Sequence, residues 1–364
     1  MSRDQRTLSG AGLGLALLVL LSVILVGCRG EAPVYTTPFM AFGSDASLSL
    51  VAIDIALAEE ISDEIKRDFA FMEDRWQTAR VGAMERVNRL LRQSEPFIAP
   101  PSILPLIRLG QRYSEQTDGL LNPATGRLTS LWGFDRAPPY CGPPPAQAEI
   151  ERVIGAKPSM SDLTIDGLEI VSANPAVQLD FEAIATGYGM DLAFTYLRER
   201  GIRHALLRIG NDLRAIGDRA GKPWRIAIRR PSGSGVYGIV EISGDASVFT
   251  AGDYERSFFH GGRTYHHLID PRTGRPVDSA RAVTVIHRDA VTADAAARAL
   301  FVAGPERWWQ TAAAMGVEEV LLFDRAGVAH VSPRMMERLE PLEDDPNIAV
   351  SPPLSASPPE PGHR

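Results

Sequence analysis

The chain has 364 residues, 45% hydrophobic and 23% charged, with 32 Gly and 27 Pro; this excludes a disordered, collagen-like or coiled-coil protein and leaves material for one large or two modest domains. A formal net charge of -7 gives no basic excess, so no nucleic acid is expected as a partner. Two cysteines are too few for a disulfide-rich scaffold.

Two arginines lie within Met1 to Arg6, and the run from Leu8 to Gly27 is almost free of charge. A basic start ahead of an apolar run reads as a secretory signal. Leu25-Val26-Gly27-Cys28 is similar to a bacterial lipobox, in which cleavage precedes Cys28 and acyl chains on that residue anchor a soluble domain. A single spanning anchor is the alternative, because the run approaches bilayer length. Either way the domain is expected outside the cytoplasm, tethered to a membrane and facing the periplasm or the exterior. Residues 1–27 are thus assigned to a signal, 28–38 to a tether, 39–343 to one folded domain, and the Pro/Ser-rich 344–364 to a disordered tail.

Within the domain, Ala46 to Ile53 alternates as a strand, and Leu57 to Trp76 places Ile61, Ile65, Phe69 and Met72 at helical spacing. Helices are predicted over Ser102 to Gln116 and Gln147 to Ile154, separated by a Pro-rich break at Ala137 to Pro145. Strand Val177 to Phe181, helix Ala183 to Arg200 and strand Ala205 to Ile209 follow, ending on a turn at Gly210-Asn211-Asp212. Trp224 to Ile228 and Val236 to Ile242 read as an antiparallel pair. Strand Ala282 to His287, helices Thr292 to Ala303 and Pro305 to Met315, and strand Glu319 to Phe323 complete the pattern. Strands in meanders with interspersed helices predict an α+β fold with mixed or antiparallel sheets.

Gly, Asp and His concentrate in five segments: Leu121 to Gly126, Leu179 to Tyr188, Thr250 to Arg256, Tyr265 to Gly274 and Thr292 to Leu300. None is a dinucleotide-binding GxGxxG, a Walker loop, a zinc-ligand spacing or a nucleophile elbow. Taken singly, Asp270-Pro271-Arg272-Thr273-Gly274 is an ordinary turn, since Pro fixes φ and Gly supplies a positive one.

Together, in order and spacing from about Phe39 to Pro333, these segments resemble the ApbE-type FAD:protein FMN transferases. Gly252-Asp253-Tyr254-Glu255-Arg256 and His267 to Gly274 carry the resemblance most specifically. It implies a two-lobed α+β architecture with the flavin site between the lobes. It also implies FAD as substrate, a divalent cation (usually Mg²⁺), and transfer of FMN through a phosphoester to a Thr or Ser of a target flavoprotein, with release of AMP. The target expected for a membrane-tethered chain is an exported or membrane redox subunit. Some members of the family hydrolyse FAD and some mainly bind it.

By the same resemblance, Asp180, Thr186, Leu268, Asn122 and Phe42 (in Phe42-Gly43-Ser44) take flavin-binding positions, and Ala183, through its carbonyl, and Asp294 take the metal positions. His267 falls at the histidine linked to activity, where a neutral imidazole takes or orients the acceptor's proton. A structural histidine on a strand is the plainer alternative.

Two positions depart from the pattern. Arg298 replaces a metal-ligating Thr four residues after Asp294, on the same helix face. Arginine carries donors only and cannot ligate a metal. It either swings aside, leaving Mg²⁺ on Asp294, the Ala183 carbonyl, pyrophosphate and water, or it substitutes for the cation. The flavin-stacking aromatic falls at Ala79, with Trp76 near enough to compensate. A flavin-binding lipoprotein without turnover and a periplasmic FAD pyrophosphatase are therefore alternatives to the transferase.

Overall fold

The computed structural model describes residues 32–77, 82–136, 138–342 and 347–354. Among them, nine strands form one sheet whose spatial order is its chain order. These are β1 (Val34–Ala41), β2 (Ser44–Val51), β3 (Ala205–Ile209), β4 (Asp212–Ile216), β5 (Ala246–Gly252), β6 (Ala280–His287), β7 (Glu319–Asp324), β8 (Ala329–Val331) and β9 (Ile348–Val350). Neighbours are antiparallel from β1 through β8, and β9 joins β8 in parallel. The helices are α1 (Ile55–Trp76), α2 (Ala83–Leu91), α3 (Leu104–Gln116), α4 (Gly126–Leu131), α5 (Gln147–Gly155), α6 (Glu182–Glu199), α7 (Ala290–Ala314) and α8 (Pro333–Arg338). The fold is α+β, as expected.

Strand alternation sends successive side chains to opposite faces. Leu48, Leu207, Phe249, Val283, Val285, Val320 and Leu322 pack with α1, α3, α6 and α7 in the main core. Leu213, Ala215, Val248, Ala282, Ile286, Leu321 and Phe323 face the other way, onto the hairpin Trp224–Arg229/Val236–Ile242. A smaller core of Trp132, Phe134, Ile150 and Phe258 gathers α4, α5 and the hairpin Ser257–His260/Arg263–His266. The candidate cleft lies between the 120–129 segment, residues 267–271, the start of α6 and the middle of α7.

α1 begins where Asp54 Oδ1 accepts the N–H groups of Ala56 and Leu57 at 3.0 and 3.2 Å, and it buries Ile61, Ile65, Phe69 and Met72 as their spacing predicted. α6 and α7 press together at Gly187, where a Cβ would stand 2.4 Å from the Ala290 carbonyl oxygen. Asp191 of α6 caps α7 by accepting from the N–H groups of Ala290 and Val291 at 2.9 and 3.0 Å. Gly304, at φ 68°, and Pro305 break α7 where the sequence placed a helix boundary.

Three expectations are corrected, and one helix is added. The tether 28–38 overlaps β1, which pairs with β2 from Val34↔Val51 onward. Residues 347–354 of the supposed disordered tail supply β9, and Leu354 is buried in the main core. Val177 to Phe181 alternates in burial but is not a strand: its backbone runs beside residues 123–126, with a single bridge at Thr125↔Gln178. α2 was not foreseen. Residues 1–31, with Cys28, and Ala79 lie outside the described residues. Among the described residues no helix is long and apolar enough to cross a membrane.

Candidate functional site

The segment leading into α6 is held by backbone pairing on one side and a side-chain clamp on the other. Gly126 N–H donates to the Gln178 carbonyl at 2.8 Å, and Asp180 N–H donates to that of Pro123 at 2.9 Å. The approach requires glycine, since a Cβ at Gly126 would lie 2.7 Å from the Gln178 oxygen. Opposite, buried Asn88 of α2 accepts from Leu179 N–H at 2.7 Å and donates to the Leu179 carbonyl at 2.9 Å. Asp180 Oδ1 then accepts from Glu182 N–H at 3.1 Å, opening α6.

The start of α7 is otherwise almost wholly apolar and buried, which makes Asp294, 3% exposed, conspicuous. Its Oδ2 accepts the Gly187 N–H at 3.0 Å. Its Oδ1 lies 3.5 Å from Nε of Arg298, one turn on. Arg298 Nη1 lies 3.3 Å from Glu182 Oε1. Glu182 also pairs with Arg256, whose Nε donates to the Tyr140 hydroxyl at 2.9 Å and whose Nη2 donates to the Phe134 carbonyl. Two more carboxylates stand nearby. Asp212 accepts from Thr250 N–H at 3.0 Å, and Glu255 from Asn211 Nδ2 at 3.1 Å; both add their field to that of Asp294 and Glu182 on Arg298.

Charge separates these acids. Burial works to raise Glu182, but the guanidinium groups of Arg256 and Arg298 outweigh it and pull the carboxyl down to about 2. Burial raises Asp294 and, reinforced by the Asp294 charge, raises Asp212 well above the usual carboxylate range. Asp180 and Glu255 are also raised, chiefly by burial. Burial drives His267 down to about 3 against the opposing pull of Glu182, so its ring is neutral near pH 7. His267 Nδ1 is buried with no hydrogen-bond partner among the described residues.

The cleft is lined by Asn122, Asp180, Ala183, His267 and Leu268 of the residues singled out in the sequence, joined by Glu182, Thr129 and Arg298. Asp294 meets it through Arg298. Phe42 and Thr186 do not line it. Phe42 stacks on Trp76 (6.2 Å, 12°), and Trp76 on Tyr188 (5.6 Å, 29°); Trp76 is 6% exposed and its Nε1 donates to the Ser102 carbonyl, so it is committed to packing. Asn122 spends its amide on the Pro158 carbonyl and Ala124 N–H, organising its loop. The Asp270 to Gly274 segment is the ordinary turn of its composition, with Arg272 forked onto the Asp270 carboxylate; it aims the preceding His267 and Leu268. Sequence reasoning gave no role to Glu182, Arg256, Asp212 or Glu255. Arg256 and Glu255 lay inside a flagged motif, and Glu182 two residues after Asp180.

The residues present do not fit the divalent cation that the resemblance implies. One Asp294 oxygen is taken by Gly187 and the other faces a guanidinium. A divalent ion about 4 Å from that guanidinium would meet a repulsion of roughly 8 kcal/mol at an effective dielectric of about 20. Among the described residues no group of three or more His, Cys, Asp and Glu side chains is placed to hold a metal.

His266, on the other side of its strand, is 2% exposed, with Nε2 on the Val277 carbonyl at 2.8 Å. Burial pushes it down to about 4. Because the folded value lies below the unfolded one of about 6.5, the native chain refuses a proton that the unfolded chain accepts. Its contribution is therefore complete above about pH 6.5 and is lost as pH falls towards 4, a change on the order of 3 kcal/mol. Urea unfolding at pH 7.5 and 4.5 is expected to show this loss, and His266→Gln to reduce it while the slope from the still lower His267 remains; an unchanged slope in the variant would assign the pH dependence elsewhere.

A model of the ApbE family matches residues 23–321. An FAD:protein FMN transferase of Rhodobacter capsulatus is 34% identical over 343 residues, covering 93% of this chain and 65% of that protein, so the chain spans just under two thirds of that relative. One from Vibrio cholerae is 32% identical over 82% of this chain and 90% of its own length. The crystal structure of the ApbE protein of Thermotoga maritima superposes with a TM-score of 0.76 at 27% identity, covering 84% of this chain and 99% of that one. The apo flavinyl transferase ApbE of Pseudomonas stutzeri gives 0.74 at 29%, over 85% and 98%. With the family model matching most of its length and relatives above 30% identity, this chain belongs to the ApbE family.

Proposed function

We propose that this chain is an FAD:protein FMN transferase, moving FMN from FAD to a Thr or Ser hydroxyl of a flavoprotein and releasing AMP. The observation that carries the reading is the gathering of Asp180, Ala183, His267, Leu268 and Arg298 around one cleft, in a member of a family with relatives so named. The hydroxyl oxygen bonds to the FMN phosphorus as the bridging P–O bond breaks, and AMP leaves with the electron pair. His267, neutral and with an unspent ring nitrogen, orients the hydroxyl and passes its proton towards the leaving phosphate; the negative pyrophosphate counters the burial that keeps this imidazole weakly basic. Asp180 and the 120–126 loop hold the flavin nucleotide. Magnesium has no seat in this reading, because Asp294 and Glu182 already share the Arg298 charge.

The lipobox-like Leu25 to Cys28 supports a lipid-anchored chain outside the cytoplasm, with an exported or membrane redox subunit as acceptor. The test is incubation of the chain with FAD and a Thr-bearing acceptor flavoprotein, followed by a denaturing gel. A fluorescent acceptor band with one AMP released per flavin attached is expected. FAD binding with neither band nor AMP would instead establish the second reading, a flavin carrier without turnover, which the Arg298–Asp294 ion pair favours. Free FMN and AMP without acceptor would identify a pyrophosphatase.

A further inference from the structure

Building on the flavin-transfer reading, we infer that Arg298 is the resident cation of this cleft, its guanidinium holding the pyrophosphate of FAD in place of a metal ion. The positive charge sits between acids brought in by two chain segments, with two more acids close enough for their fields to reach it. Asp294 and Glu182 are in ion-pair reach at 3.5 and 3.3 Å, and Asp212 and Glu255 act on it from β4 and the loop after β5. Those acids come from positions 182, 212, 255 and 294, so the arrangement is made by the fold rather than by a local run. Glu182 and Asp294 need a counter-charge before the cleft accepts a pyrophosphate, and here that charge is covalently part of α7.

The guanidinium is also within reach of a ligand. Its side chain is 22% exposed and lines the same cleft as Asp180 and His267. Its Nε is turned to Asp294 and its Nη1 to Glu182, and a guanidinium has five N–H donors, so donors remain for an anion in the cleft. Arg256 leans on the same Glu182, so the acid is shared by two guanidinium groups and does not cancel Arg298 alone. In the transfer step the leaving AMP gains the electron pair of the broken P–O bond, and a fixed guanidinium beside it stabilises that charge without exchanging with solvent.

The test uses the full chain, dialysed against EDTA, and reads FAD affinity by quenching of flavin fluorescence together with uptake of Mn²⁺ by electron paramagnetic resonance. The parent chain is expected to bind FAD equally well in EDTA and in Mn²⁺ and to take up no Mn²⁺. Arg298→Thr is expected to lose about 10- to 100-fold in FAD affinity in EDTA and to regain it with Mn²⁺, the ion held between Asp294 and the pyrophosphate. Arg298→Lys, which keeps a cation, is expected to remain chelator-insensitive, and it stands as the second variant should the Thr chain fail to fold. FAD binding by the parent that collapses in EDTA, or stoichiometric Mn²⁺ uptake by the parent, overturns the inference and leaves the transferase reading standing. Absence of FAD binding under both conditions overturns that reading itself.

Discussion

Replacing His267 with Ala is expected to slow FMN transfer by about 10²- to 10⁴-fold, the usual contribution of a positioned proton-transfer group. FAD affinity and the urea unfolding midpoint are expected to change little. His267 makes no side-chain hydrogen bond among the described residues, so its removal strands no buried partner. Its ring meets Phe134 edge-on at 6.4 Å. The loss is therefore expected in the rate with saturating acceptor, not in flavin binding, and an Asn in its place is expected to keep part of the orienting effect. Transfer by His267→Ala at the parent rate would reduce His267 to a packing residue and move the proton to the departing phosphate without assistance.

Asn88→Ala is expected to be the most damaging single change to the scaffold of the cleft. Asn88 meets both backbone groups of Leu179, a residue with no exposed surface. Truncation leaves a buried N–H and a buried carbonyl without partners, at about 1–3 kcal/mol each, so the unfolding free energy is expected to fall by about 2–6 kcal/mol. Because Leu179 adjoins Asp180, the same variant is expected to bind FAD more weakly than its stability loss alone explains. Urea unfolding followed by tryptophan fluorescence, with FAD titration of the folded fraction, checks both parts. A free energy of unfolding equal to that of the parent would show that water reaches Leu179 and that the clamp is dispensable.

Neither residue was equally visible beforehand. His267 stood out because it sits in a segment dense in Asp, Gly and His, and chemistry of that kind is written locally. Asn88 gave no signal. It lies on α2, a nine-residue helix whose buried positions Met84, Val87, Asn88 and Leu91 are spaced by three and four residues but interrupted by one amide. The same ambiguity affected Val177 to Phe181. Alternating buried residues satisfied the pattern of a strand, yet the backbone found its partners in a loop and a side chain instead of a ladder. β5 escaped for the opposite reason, being buried on both faces and so showing no alternation.

What the sequence determined by itself were the features encoded within a dozen residues. These are the apolar face of α1, the Gly304-Pro305 break, the hairpin at 224–242, the turn at Asp270 to Gly274, and the motifs that carried the family resemblance. The tertiary structure alone decided which charges meet. Arg298 and Asp294 are one helical turn apart and share a helix face in the sequence, but Glu182, Asp212, Glu255 and Arg256 come from elsewhere in the chain, and their convergence sets how firmly each holds its proton. Periodicity is short-ranged, whereas burial and Coulomb fields depend on distances that only the packed sheet and helices establish. Phe42 shows the same limit from the other side: its place in a motif was legible, but the fold turned its ring onto Trp76 and away from the cleft.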